Sequence, residues 1–149
     1  MSQVKAIPDG YHSVTPFLNI KGAAEAIDFY KQAFGAEERG GRAPGPGGTI
    51  MHAELKIGDS VIMLSDAVMN PPTQSCLHLY VSDANAAWKR ALEAGATVVM
   101  PLNDMLWGDR YGAVADRWGN RWTIGQHIED VSPAEMERRM AELMKTAKP

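Results

Sequence analysis

The chain is poor in cysteine and has no long apolar run. It holds one cysteine, Cys76, among 149 residues, so no disulfide can form inside it. No apolar run approaches the ~20 residues that span a bilayer. The opening Met1-Ser2-Gln3-Val4-Lys5 has no apolar targeting core. A cytoplasmic protein with no membrane partner is the expectation. Positive charge is not in excess either. A net charge of −3 argues against a broad nucleic-acid surface, so no nucleic-acid partner is expected. A nucleophile elbow, a phosphate loop and a dinucleotide fingerprint are all missing. The lone Cys76 reads as a small buried hydrophobe rather than a nucleophile.

What is present is ordinary globular composition, 45% hydrophobic and 22% charged, in the length of a single domain over 1–149. Within it the chain says nearly the same thing twice. "PFLNIKGAAEAIDFYKQAFGAEE" (16–38) and "LHLYVSDANAAWKRALEAGATVV" (77–99) each read as a short strand, a polar break, an Ala-rich helix, a glycine and an extended exit. Ala23, Ala26, Ile27, Tyr30 and Phe34 share one helical face in the first; Ala84, Ala87, Trp88 and Ala91 do so in the second. "MHAELKIGDSVIML" (51–64) and "YGAVADRWGNRWTI" (111–124) then read as strand, turn, strand, with Met63 opposite Thr123.

Each half is therefore β-α-β-β-β, the first over about 11–67 and the second over about 75–129. The fold class is α+β. Neither half should stand alone, and two such sheets facing each other would enclose a cavity. "GGRAPGPGG" (40–48) is expected to break the strand before it and to be mobile. A third helix over about 132–146 opens on Ser132, Pro133 and Glu135 and carries Met136, Met140, Leu143 and Met144 as its stripe. That stripe can pack on the body of the chain or on a partner subunit.

In its segments "GYHSVTPFLNI", "GAAEAIDFYKQAFGAEE", "MHAELKIGDSVIMLSD", "LHLYV", "WGDRYG", "DRWGNRW" and "EDVSPAEMERRM", the chain resembles the vicinal-oxygen-chelate superfamily. That group holds glyoxalase I, extradiol dioxygenases and bleomycin-resistance proteins, and the chain looks most like its PhnB-like branch. The resemblance implies paired βαβββ modules, a homodimer, and a small-molecule ligand in the concave sheet. It says little about reaction, because the fold hosts many. Exposed sheet edges that pairing would cover also favour a homodimer.

In metal-dependent members four strand residues hold a divalent cation through His, Gln and Glu. Carried over by spacing, those positions are Thr15, Met63, Cys76 and Thr123. Neutral hydroxyls and soft sulfur are poor donors for a hard divalent ion, so no cofactor is expected there. Three further residues keep a metal open as the second reading. His52 and Glu54 share a strand face, and His78 shares one with Cys76. Should they converge, two histidines and a carboxylate would make a facial triad for a lyase, isomerase or dioxygenase. His52 or His78 is also the best candidate base.

The same parity turns Phe17, Asn19, Val61, Ser65, Tyr80 and Arg121 toward the cavity, with Trp107, Arg110 and Tyr111 at its rim. The leading expectation is a metal-free binding protein in which Phe17, Trp107 and Tyr111 stack on the ligand. His52, Glu54, His78 and Arg110 would orient it. Met51, Ala53, Leu55 and Ile57 should pack under the helices, and Trp88 and Trp122 should be core. His12 and His127 read as surface residues.

Overall fold

The computed structural model describes residues 3–147; residues 1–2 and 148–149, the two ends of the expected domain span, lie outside the described residues. In chain order the elements are β1 (Phe17–Ile20), α1 (Ala23–Phe34), β2 (Glu37–Pro44), β3 (Ile50–Ile57), β4 (Ser60–Asp66), β5 (Cys76–Tyr80), α2 (Ala84–Glu93), β6 (Thr97–Asp104), β7 (Asp109–Ala115), β8 (Arg121–His127) and α3 (Pro133–Thr146). They form two four-stranded mixed sheets, ordered β1-β4-β3-β2 and β5-β8-β7-β6. In each, the first strand pairs in parallel with the last and the other pairings are antiparallel. The α+β fold of two βαβββ modules and a C-terminal helix is thus as expected.

The repeat extends to how each helix begins. Neither α1 nor α2 satisfies its first N–H groups alone. Asp66, at the end of β4, accepts from Gly22 N and Ala23 N at 2.9 Å each. Gln126, at the matching place on β8, accepts from Ala84 N at 2.9 Å. Burial would raise the Asp66 carboxyl, but backbone N–H groups of Ala23, Ile50 and Gly22 outweigh it and hold the group below the usual range.

The sheets do not face each other. Their covered faces carry Leu18, Ile20, Leu55, Leu64, Val114 and Ile124, all buried. Those side chains join α1 and α2 in one continuous core that spans both modules. The helices also pack on each other, with Arg90 of α2 donating to the Gln32 and Lys31 carbonyls of α1 at 2.6 and 3.1 Å. The sheets therefore lie side by side under a common helical layer. Their other faces stay open, with Phe17 49% and Tyr80 62% exposed. A small hollow does form between the modules, lined by Thr15, Val61 and Ile62 from the first and by Leu77, His78 and Trp122 from the second.

Smaller expectations also change. Strand β2 runs through Gly40 and Gly41 to Pro44, its register shifting between Arg39 and Ala43; a bulged edge strand absorbs glycine and a terminal proline. The shift continues into β3, where Ile50 takes the buried place and Met51 turns outward. Trp122 is core as expected, and Trp88 of α2 is partly buried against that core. In α3, Ser132 accepts from Glu135 N. The helix is held to the body by Arg139, which donates to the Leu106 carbonyl at 2.9 Å and pairs with Glu129. Its stripe of Met140, Leu143 and Met144 stands exposed. Among the described residues no helix is long and apolar enough to cross a membrane.

Candidate functional site

Register assigns the open faces. Across the first sheet runs a row of Phe17, Met63, Glu54 and Arg39. Across the second run His78, Thr123, Ala113 and Met100, and beside them Tyr80, Gly125, Tyr111 and Asn103.

The first open face is partly covered by the chain's own N-terminal segment. The Tyr11 hydroxyl donates to the Glu54 carboxylate. Arg39 lies 4.9 Å from the centre of the Tyr11 ring and donates to the Asp9 carbonyl. Burial, followed by the bond to Glu54, pushes the Tyr11 hydroxyl up to about 12. Thr15, Met63 and Glu54 line the hollow beneath this segment. His52 Nε2 lies 3.8 Å from Glu54 Oε1, and its ring lies 6.0 Å from that of Phe17.

The second open face carries a tray of rings. His78 and Tyr111 lie nearly parallel, 20° apart, with centres separated by 5.7 Å. Tyr80 stands at 84° to His78, 4.4 Å away. Trp107 stands at 71° to Tyr111, 5.6 Å away. Two rings thus form a floor and two form walls. The floor exists because β8 has Gly125 between them: a Cβ there would come within 2.8 Å of His78 Cε1. Thr123, buried in the next row, fixes the His78 ring through a bond of 2.6 Å between its Oγ1 and His78 Nδ1.

Behind the walls sits Asp109, 3% exposed. Its Oδ2 accepts from the Tyr80 hydroxyl at 2.8 Å and from Trp107 Nε1 at 3.2 Å. Its Oδ1 meets His127 Nδ1 at 2.8 Å, and His127 Nε2 reaches Asp130 at 2.7 Å. Burial would raise the Asp109 carboxyl, but the bonds from His127, Tyr80 and Trp107 outweigh it and hold the group below the ordinary range. Bonds to Asp130 and then Asp109 raise His127. His127 is exposed, as expected of a surface residue, and bridges two carboxylates. Asp109 escaped the sequence reading because an aspartate after Trp-Gly reads as a turn former. Its period-2 spacing from Tyr111 was the available signal.

The family model described as the Glyoxalase/Bleomycin resistance protein/Dioxygenase superfamily matches residues 11–124.

The chain belongs to that superfamily.

It is 45% identical over 141 residues to an uncharacterized protein of Mycobacterium bovis, covering 87% of this chain and 92% of that one. Among solved structures it is similar to TioX from Micromonospora sp. ML1, with 26% identity and a TM-score of 0.65 over 81% of this chain and all (100%) of that one. It shares its fold with TnmS3, an antibiotic binding protein from Streptomyces sp. CB03234, at 24% identity and a TM-score of 0.63 over 83% and 99% of the chains.

The positions where metal-dependent members of this superfamily place their ligands do not fit a divalent ion here. Thr15 lies before β1, not in it, and Met63 lies in the other sheet from Cys76 and Thr123. Neutral hydroxyls and soft sulfur remain the donors, and Thr123 is already engaged by His78. Cys76 is exposed rather than buried. The displaced triad does not assemble either. His52 and Glu54 share the first sheet and His78 lies in the second. Among the described residues no three His, Cys, Asp or Glu side chains are grouped to hold a metal. Strand parity states which face each takes and not which side chains meet.

The expected stacking group is also divided. Trp107 and Tyr111 come together, while Phe17 belongs to the first sheet. Arg110 is not with them. It has the parity of Gly112, which lies against Trp88, and it is held by Asp104 at 2.7 and 3.2 Å.

Proposed function

We propose that this superfamily member binds a planar aromatic small molecule on the open face of its second sheet and needs no resident metal to do so. The observation that carries the reading is the ring tray. His78 and Tyr111 offer parallel faces, Tyr80 and Trp107 offer walls, and the polar edges of both walls are already satisfied by Asp109. Such rings contribute broad apolar contact at little entropic cost. Their exposure on a folded chain marks a surface built for contact. The solved neighbour TnmS3 is an antibiotic binding protein, which supports a binding use for this fold. A second copy of the chain would cover the open faces and sheet edges, so the binding unit we propose is a homodimer. Within the superfamily the order of motifs supports a place in the PhnB-like branch.

Thermal melts with a panel of planar aromatics, proflavine among them, test the reading. Ligand at a hundredfold excess over its Kd stabilises by about 2.7 kcal/mol, a rise of roughly 5–10 °C for a chain of this size. Tyr111→Ala should abolish that rise. A wild-type melt that no planar compound moves overturns the proposal. Metal content is the second arm. Stoichiometric Ni, Zn, Mn or Fe in protein purified without tag or chelator, lost in His78→Ala, would replace the metal-free reading with that of a lyase, isomerase or dioxygenase.

A further inference from the structure

We infer that Asp109 is the positioning residue of this site. One carboxylate oxygen, Oδ2, accepts from both walls of the tray, the Tyr80 hydroxyl at 2.8 Å and the Trp107 indole at 3.2 Å. These walls come from different places in the chain: Tyr80 ends β5, and Trp107 lies in the turn before β7. Nothing in the local backbone relates their angles to each other. The shared acceptor does. It fixes each ring by its polar edge.

Asp109 is itself held from behind. His127 Nδ1 occupies Oδ1 at 2.8 Å, and Asp130 holds the far side of the His127 ring at 2.7 Å. Gly108, just before it, accepts with its carbonyl from Ile128 N and Glu129 N at 2.8 and 3.0 Å, clamping the turn to the segment after β8. The carboxylate thus reaches the walls from a fixed base, and a pre-set site loses less freedom when it binds. Tyr80 and Trp107 are both exposed. Without the shared acceptor each would sample several rotamers. This role rests on the binding function proposed above.

The test separates the two. In nitrogen–proton correlation spectra the Trp107 indole N–H, assigned with Trp107→Phe, should move upfield in Asp109→Asn and further in Asp109→Ala. That readout needs no ligand. Proflavine affinity should fall roughly tenfold in Asp109→Asn, the scale of one lost charge-assisted bond. In a Tyr80→Phe/Trp107→Phe background, which keeps an aromatic ring at each position and removes both donors, Asp109→Asn should cost nothing further. An unmoved Trp107 resonance overturns the inference. So does an equal loss of affinity in both backgrounds, which would mark Asp109 as merely structural. Failure of proflavine and the rest of the panel to bind the wild type would instead sink the proposed function, leaving the Trp107 resonance to decide the positioning role.

Discussion

Thr123 and His78 face each other across β8 and β5, and Thr123 Oγ1 lies 2.6 Å from His78 Nδ1. The position that delivers a metal ligand in metal-dependent relatives here delivers a hydroxyl that orients an imidazole. Thr123 is buried at 6% exposure, while its partner His78 stands exposed. Thr123→Val keeps the shape and deletes the bond. It should destabilise by about 1 kcal/mol and broaden or shift the His78 ring resonances. Unchanged His78 resonances would show that the ring is held by its aromatic neighbours alone.

Tyr30 of α1 donates to Asp116 Oδ2 at 2.6 Å, deep in the core between the modules. Asp116 also accepts from Trp122 Nε1 at 3.0 Å and from the Trp118 and Asn120 amides at 3.0 Å each. The bond ties the first module to the β7–β8 turn of the second. Burial and the neighbouring Asp116 carboxylate raise the Tyr30 hydroxyl far above its ordinary range, so it stays a donor. Tyr30→Phe should cost about 1.5–3 kcal/mol in urea unfolding, the range for a hydrogen bond to a charged group. The denaturant slope should not change.

Gly108 has φ of +99°, and a Cβ there would run into the Glu129 carbonyl. The obstacle is backbone and cannot swing aside. Gly108→Ala should cost roughly 3 kcal/mol, combining left-handed strain with overpacking. That lowers the melting temperature by about 6–12 °C. A smaller drop would mean that the turn before Asp109 yields easily.

Protonation of His127 should be visible in stability. Asp130 and Asp109 raise its pKa in the folded chain. A raised histidine contributes stability that is fully present below its unfolded value of about 6.5 and lost as pH rises through the folded value. Melting temperature should therefore decline as pH rises above about 6.5, and His127→Gln should flatten that decline. On the acid side the sign reverses. Arg42 and Lys31 hold Glu38, and Arg138 and Arg139 hold Glu135, each at about 2. Their contribution is present above about 4.3 and fades as pH falls toward those folded values.

The repeat, the helix faces and the two open strand faces were legible because period 3.6 and period 2 depend only on neighbours in sequence. That spacing places Tyr80; Trp107 and Tyr111 come from the segment LWGDRYG, 106–112. The grouping of His52, Glu54 and His78 was not within reach of the same argument. Parity states which face a residue takes, not which faces meet. Arg110 shows how narrow the margin is. It shares one short segment with Trp107 and Tyr111. A one-residue offset from Tyr111 sent it to the opposite face, against Asp104.

The sequence by itself determined the two βαβββ modules, the start of α3 at Ser132 and the absence of hard-metal donors at Thr15, Met63, Cys76 and Thr123. Each follows from local pattern or side-chain chemistry. Only the tertiary structure decided that the sheets lie side by side under a shared helical core. Only there do Asp109 and His127 meet behind Tyr80 and Trp107. Asp109 lies 18 positions from His127 and 29 from Tyr80, and the geometry of these contacts is set by how the apolar faces of both modules bury one another. No periodicity along the chain encodes that.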